Sequence, residues 1–483
     1  MKTRKNIVLI QCDALASFQL GFAGHPDIRT PHLDRLAAEG SNFPDAVTCA
    51  GVCVPARASV MTGRFPAGHG VLSNHMALPP REPRMGRLFS EGGYRTGYFG
   101  KTHYGVHAAA MADEGWGELF SAGDYNRWLG EQGVAIRYPE KNLTQRRPMR
   151  YWRAGRSDIP PEIHFEKAMT DRAINFIQSD APGPFLCFLN LIAPHGPFAV
   201  PPPFDTLFDP AALTLPAFDE RDLEGKPAAF RRWILQNRKY MTPEELRQML
   251  SVIYGLIALV DHQVGRVVEA LKQAGLEEET LLLFTSDHGD FGGYYGIIGK
   301  SWTMHDVLCR IPLLIRAPGI APREVTGFAQ NLDLLPTLLA WAGLPVPSQM
   351  HGKNLLPAME SGHFDGRSAA WCALQFVNST DRLHQSMVRN HRWKYVHAST
   401  GEHELYDLEN DPDERVNRFG DACLRPQVEE MRARLLDFQV AYTGQFNTPE
   451  TAGFWEDETL FYDETRFCGE RIVQREKVRT NSI

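Results

Sequence analysis

Residues 251–290 read SVIYGLIALVDHQVGRVVEALKQAGLEEETLLLFTSDHGD. In the first half, Val252, Ile253, Leu256, Ile257, Val260, Val264, Val267, Val268 and Leu271 recur at steps of three and four. That spacing makes one apolar stripe along a helix, and Gly275 closes it. The run 280–286, TLLLFTS, is short and apolar throughout, so it predicts a strand buried on both faces. A helix that delivers the chain to such a strand is half of an α/β crossover. The same alternation of short β-branched or aromatic runs with longer helical patterns extends from residue 1 to about 365, which gives an α/β layer fold.

Two stretches depart from this texture. Residues 198–250, with VPPPFDTLFDP and RDLEGKPAAFRRW, are rich in proline and charge and show little strand alternation. Such a segment wraps a surface or lines an entrance. Beyond residue 365, SMVRNHRWKYVHASTGEHELYDLENDPDE (386–414) places two alternating runs on either side of STGEH, a predicted antiparallel hairpin. The expected division is a main domain over 1–365, a smaller C-terminal α+β domain over 366–447, and an aromatic and acidic arm over 448–483.

At 483 residues the chain exceeds the size of one hydrophobic core, consistent with a large domain plus a smaller one. Its 43% hydrophobic and 23% charged residues are those of a globular enzyme. A net charge of -7 offers no basic stripe, so neither nucleic acid nor an acidic membrane surface is an expected partner. Apolar runs such as FLCFLNLIA are too short to cross a bilayer. The opening MKTRKNIVLIQCD has a short apolar run that ends in Asp13 without a small-residue cleavage site, so it reads as a first strand and not as a signal peptide. The cysteines show no repeated C-x-x-C pattern, and several sit inside apolar runs. They are expected to be free thiols in a reducing compartment, the cytoplasm.

Four apolar runs end in reactive side chains: NIVLIQC in Asp13, YRTGYFG in Lys101 and His103, FLCFLNLIAP in His195, and LLLFTS in Asp287 and His288. In open α/β sheets ligands sit beyond the carboxyl ends of strands, so these groups are expected along one edge. Taken singly, each has a plainer reading. Asp13 is an ordinary strand-end turn former, SDHGD a solvated turn, KTH a loop mouth, and His195 in APHGPF a stiffened turn residue. Together, two carboxylates and an imidazole at neighbouring strand ends make a divalent-ion site. Lys101 and His103, one residue apart, share a face if the backbone there is extended.

The stretch CVPARASVMTG (53–63) sets Cys53 at the start of a helix with Arg57 one turn on. A helix N-terminus and a guanidinium lower a thiol pKa, whereas the common fate of cysteine is a core position. Arg57 is placed to bind an anion with the helix amides. With Lys101 and Lys300, it describes a site for a tetrahedral anionic ester, sulfur or phosphorus left open.

CVPARASVMTG is similar to the sulfatase signature C-x-P-[SA]-R-x-x-x-x-T-G, and the chain resembles the sulfatase family of the alkaline phosphatase superfamily. The likeness runs in family order through NIVLIQCDAL, GYRTGYFGKTHYG, APHGPF, TLLLFTSDHGDFGGYYGIIGK, RIPLLIRAPG, NLDLLPTLLAWAGL and ELYDLENDPDE, over about residues 5 to 417. It implies an alkaline-phosphatase-like three-layer α/β/α sandwich with the small C-terminal domain built on an antiparallel sheet. It also implies that a separate formylglycine-generating enzyme oxidises Cys53 during maturation.

By the same resemblance, Asp13, Asp287, His288 and modified Cys53 hold one metal ion, and Arg57 and Lys101 stabilise charge on the hydrate and the sulfuryl oxygens. His195 or Lys300 protonates the leaving oxygen, His103 collapses the sulfated intermediate, and Asn74 in GVLSNHM meets the sulfate beside Lys101, His195 and Lys300. Two features depart from many relatives: Ala14 follows Asp13 where a second acid is common, and Asp287 is followed by histidine. Both look like the choline-sulfatase and phosphonate monoester hydrolase branch, which implies a homo-oligomer. Calcium is the first expectation, with manganese or zinc as alternatives because of the imidazole. Lys101-x-His103, in place of Tyr-x-Thr, favours a small-molecule sulfate ester over a phosphonate or phosphodiester. A non-catalytic binder of sulfated ligands and a thiolate hydrolase are the readings of other kinds.

Overall fold

The computed structural model describes residues 5–106, 108–134, 154–300, 303–377 and 382–442. The arm expected over 448–483, with Cys468, lies outside them. In chain order the strands are β1 (Asn6–Asp13), β2 (Ser41–Asn42), β3 (Arg95–Gly100), β4 (Glu118–Ser121), β5 (Ala154–Arg156), β6 (Phe185–Pro194), β7 (Phe198–Val200), β8 (Thr280–Ser286), β9 (Leu313–Arg316), β10 (Arg323–Glu324), β11 (Ala370–Val377), β12 (Arg382–Arg389), β13 (Trp393–Ala398) and β14 (Glu404–Asp407). Eight of them form the main sheet, in the order β10-β2-β9-β8-β1-β6-β3-β4.

At its centre β8, β1, β6 and β3 are neighbours and parallel, with Ile7 opposite both Leu186 and Leu281. Alternate residues of these strands feed two separate cores. Val8, Ile10, Leu189, Leu282 and Phe284 pack on one side, and Ile7, Leu9, Phe188, Leu281 and Leu283 on the other. The second core is closed by helices α1 (Cys53–Thr62) and α4 (Leu334–Ala342), the first by α2 (Phe165–Ile177) and α3 (Pro243–Gln273). The result is the three-layer α/β/α sandwich that the alternation and the resemblance imply.

Helix α3 carries the apolar stripe predicted over 252–271, with Val252, Ile253, Leu256, Ile257, Val260, Val264, Val267 and Leu271 buried. It starts earlier than the stripe shows. Thr242 and Glu245 form a reciprocal capping box with Pro243 at the first turn, so the end of the proline-rich segment is already helical. That segment also holds β7 and a helix over Ala228–Arg238. By length and composition α3 is apolar enough to cross a membrane, but 67% of its most apolar window is buried inside the protein, as in a core helix.

The C-terminal sheet is an antiparallel meander, β11-β12-β13-β14, and β13 and β14 flank STGEH as the hairpin reading requires. Helix α5 (Arg425–Tyr442) covers it with Val428, Met431, Leu435 and Phe438. The Phe438 ring stacks on Trp371 at 5.0 Å and meets Phe65 of the main body edge-on at 4.9 Å. A buried ion cluster adds polar ties, with Lys394 Nζ 2.8 Å from Asp306 and 2.6 Å from Glu414.

Candidate active site

Because β8, β1, β6 and β3 run parallel side by side, their carboxyl ends open on one edge, and the four reactive strand ends meet there. Asp13 closes β1, Asp287 and His288 follow β8, His195 follows β6 and Lys101 follows β3. Helix α1 points its first residue, Cys53, at the same place. Val52, ahead of it, is extended and offers no capping group. Instead the Asn74 carboxamide, from another loop, accepts a hydrogen bond from the Val54 backbone N–H at 3.0 Å. A cap of this kind contributes about 1 kcal/mol, and here it fixes the start of α1, where Cys53 sits.

Ligand atoms of Asp13, Cys53, Asp287 and His288, all buried, lie within 4.8 Å of one another. Cys53 Sγ is 3.2 Å from His288 Nε2 and 3.9 Å from Asp13 Oδ1. The Nδ1 of His288 sits 2.8 Å from the Gly289 carbonyl, and that of His195 at the same distance from Gly196. Each Nδ1–H therefore donates to a backbone oxygen and leaves Nε2 to face the pocket. Two carboxylates, one such imidazole and the side chain at position 53 are a donor set that fits a divalent cation.

The cations divide into two roles. Lys300 Nζ stands 2.7 Å from Cys53 Sγ, 3.1 Å from His288 Nε2 and 3.2 Å from His195 Nε2, at the mouth of the cluster. Lys101 Nζ donates to Asp13 Oδ2 at 2.5 Å. Arg57 departs from the anion-binding expectation. Its Nε donates to Asp287 Oδ2 at 2.8 Å, its Nη2 to Asp13 Oδ2 at 2.9 Å, and its Nη1 to Asn190 Oδ1. The guanidinium is the buried counter-ion of the two carboxylates. Asp13 Oδ2 is thus engaged, and Oδ1 faces the pocket.

This field acts on Cys53. Burial alone raises the Cys53 thiol, but Lys300, Lys101 and His288 outweigh it and hold Cys53 well below the usual thiol range. Burial pushes His195 and His103 below the usual imidazole range, Lys101 and Lys300 adding to the effect at His195. Asp13 stays ionised: burial and Cys53 oppose it, and Lys101, His195 and Arg57 prevail.

His103 reaches the cluster by another route than the extended backbone expected for KTH. β3 stops at Gly100, and His103 has a φ of 34°, a left-handed conformation, yet its ring hydrogen-bonds Cys53. Asn74 lies beside the pocket with its oxygen committed to α1. All ten residues singled out in the sequence therefore converge on one locus.

The supporting residues were not legible. Asn190 and Tyr98 stand behind Arg57 and Lys101. Glu166 Oε1 accepts from the Ala193 N–H at 3.0 Å and steadies the His195 turn. Asp290, pushed up to about 6 by burial, accepts from Gly292 and Gly299 and pins the loop that leads to Lys300. Of these, only Asn190 carried a signal, as a polar residue inside an otherwise apolar run.

The family model described as Sulfatase matches residues 5–344, and one described as N-sulphoglucosamine sulphohydrolase, C-terminal, matches 293–441. The chain is 30% identical over 454 residues to the uncharacterized sulfatase YidJ of Escherichia coli K12, spanning 90% of this chain and 87% of that one. It is 26% identical over 496 residues to the multifunctional alkaline phosphatase superfamily protein PehA of Trinickia caryophylli, spanning 91% and 96%. Its fold superposes on the crystal structure of the phosphonate monoester hydrolase of Agrobacterium radiobacter with a TM-score of 0.75 and 25% identity, over 91% of this chain and 96% of that one.

Proposed function

The chain belongs to the sulfatase family and is a sulfuric ester hydrolase, and from that premise we propose that it cleaves a small sulfate monoester to an alcohol and inorganic sulfate on a formylglycine made from Cys53. The observation that carries this reading is the position of Cys53 at the buried start of α1, with its sulfur among Asp13, His288 and Lys300. In the mature protein that sulfur stands in for the hydroxyls of an aldehyde hydrate, the product of a formylglycine-generating enzyme acting during maturation.

One hydroxyl of the hydrate attacks sulfur while the bond from sulfur to the alcohol oxygen breaks. Lys300 at the pocket mouth, 3.2 Å from His195 Nε2, gives its proton to the departing oxygen, or His195 does so once Nε2 is protonated. His103, hydrogen-bonded to residue 53, then takes the proton of the second hydroxyl. The carbon–oxygen bond to sulfate breaks, the aldehyde reforms, and water restores the hydrate. Lys101 and Lys300 place positive charge where the sulfuryl oxygens gain negative charge. Asp13, Asp287, His288 and an oxygen of residue 53 would hold a divalent cation, whose Lewis acidity would lower the pKa of the attacking hydroxyl so that its proton is lost before attack. Calcium is the first assignment, manganese or zinc the alternatives that His288 admits. Beyond the site, the enzyme is assigned to the cytoplasm as a homo-oligomer. The free thiols at the described cysteines fit the compartment, and the resemblance to the choline-sulfatase branch supports the assembly.

The likeness to a phosphonate monoester hydrolase supports a second reading, hydrolysis of phosphonate monoesters or phosphodiesters at the same locus. Lys101 and His103 favour sulfate, because a monoanionic sulfate ester needs cations and little room for a second substituent. In a panel of sulfate, phosphonate and phosphodiester esters assayed with metal-loaded enzyme, the highest kcat/KM is expected for a sulfate ester. A phosphonate or phosphodiester ahead of every sulfate would replace this reading with the second.

A further inference from the structure

We propose that Tyr98 and Asn190 form a buried relay that fixes the plane of the Arg57 guanidinium and, through it, the two carboxylates Asp13 and Asp287. The proposal rests on the reading of those carboxylates as metal-holding groups. Neither residue touches the reacting atoms, so both are positioning residues.

The relay has only one consistent polarity. At one end is the Lys101 backbone carbonyl, which can only accept. The Tyr98 hydroxyl, 2.6 Å away, spends its single proton on it. Tyr98 oxygen is then left as an acceptor, and the Asn190 Nδ2 group donates to it at 2.8 Å. That choice turns the carboxamide so that Oδ1 faces Arg57, whose guanidinium can only donate. A flipped Asn190 would set N–H against N–H at the Arg57 end. The orientation is therefore dictated from both ends.

The surroundings leave little freedom. Tyr98 and Asn190 are each 1% exposed and Arg57 2%. The same Asn190 also accepts the Lys101 backbone N–H at 3.0 Å, so it joins β6 to the end of β3 twice. The strands close up here: a side chain at Gly100, where φ is 121°, would place its Cβ 1.8 Å from the Asn190 carbonyl oxygen. Asp13 and Asp287 occupy the Nη2 and Nε edges of the guanidinium, and Asn190 is its neutral third partner. With that partner in place, one plane bridges both acids and leaves the Oδ1 of Asp13 toward the pocket. Without it, Arg57 rotates and the acids lose their common direction.

Tyr98→Phe cuts the relay while keeping the ring contacts to Trp116 and Phe188, at 5.0 and 4.9 Å. Asn190→Leu removes its middle. Retention of bound metal against a competing chelator, read by elemental analysis, and the kcat and KM of a sulfate ester are measured for both variants and the double. Groups that orient metal ligands cost about 10–100-fold in metal affinity or activity when lost. Each variant is expected to hold metal about tenfold or more weakly and to lose kcat with KM nearly unchanged, and the double to be no worse than the weaker single.

If Tyr98→Phe holds metal as the parent does, or if the double multiplies the two losses, the relay is wrong. A lowered melting temperature with unchanged metal retention also overturns it, since that marks a merely structural contact. Cys53→Ala, prepared alongside, keeps the two readings apart. Full turnover by that variant would sink the catalytic proposal, while metal retention would still decide the relay.

Discussion

Cys53→Ala protein is expected to fold as the parent does and to lose sulfate-ester turnover by more than about 10⁴-fold. The fold survives because alanine is the best helix former and position 53 is the first residue of α1, whose cap comes from Asn74. The chemistry does not survive. Alanine has no sulfur to be oxidised and so no hydroxyl to attack, and a water in the space left would have to be held in line without a covalent tether. Far-ultraviolet circular dichroism and thermal unfolding check the first half, and single-turnover assays the second. Turnover near the parent's would remove residue 53 from the mechanism.

Arg57→Met has the second large expected effect, on stability and activity together. Arg57 is 2% exposed and bridges Asp13 and Asp287, both fully buried. Removing one member of a buried ion pair strands the other, at a cost of about 3–5 kcal/mol. The variant is therefore expected to unfold at markedly lower denaturant. A divalent ion bound by the same carboxylates replaces part of the missing charge, so adding metal should recover more stability in the variant than in the parent. Denaturation with and without excess metal tests this. Equal responses in the two proteins would mean that Arg57 and the metal do not act on the same acids.

What the sequence disclosed follows from how local each signal was. Asp13, His195, Asp287 and His288 each end an apolar run, and an apolar run long enough for one strand locates its end to within a residue or two. Their convergence needed only the rule that parallel strands share a carboxyl edge. Cys53 was legible because a helix begins there, marked by Pro55 in its first turn. The partners of Arg57 were not: its three contacts lie on β1, β6 and the end of β8, far apart in the chain, and nothing at position 57 distinguishes a counter-ion from an anion binder. Tyr98 looked like any aromatic residue of a buried strand. The extended geometry expected at Lys101 and His103 failed because β3 ends at Gly100, where a conformation open to glycine turns the backbone. Likewise the capping box at Thr242 hid in a stretch whose prolines suggested loop.

The central claim is that an oxidised residue 53 and a divalent cation share the pocket of Asp13, Asp287 and His288. Peptide mass analysis of the segment from Thr48 to Arg64, taken from a preparation of measured specific activity, tests it most directly. The account requires position 53 to have lost its sulfur and to carry an aldehyde that labels with a hydrazide, in proportion to activity across preparations. A fully active preparation in which Cys53 is an intact thiol would contradict it.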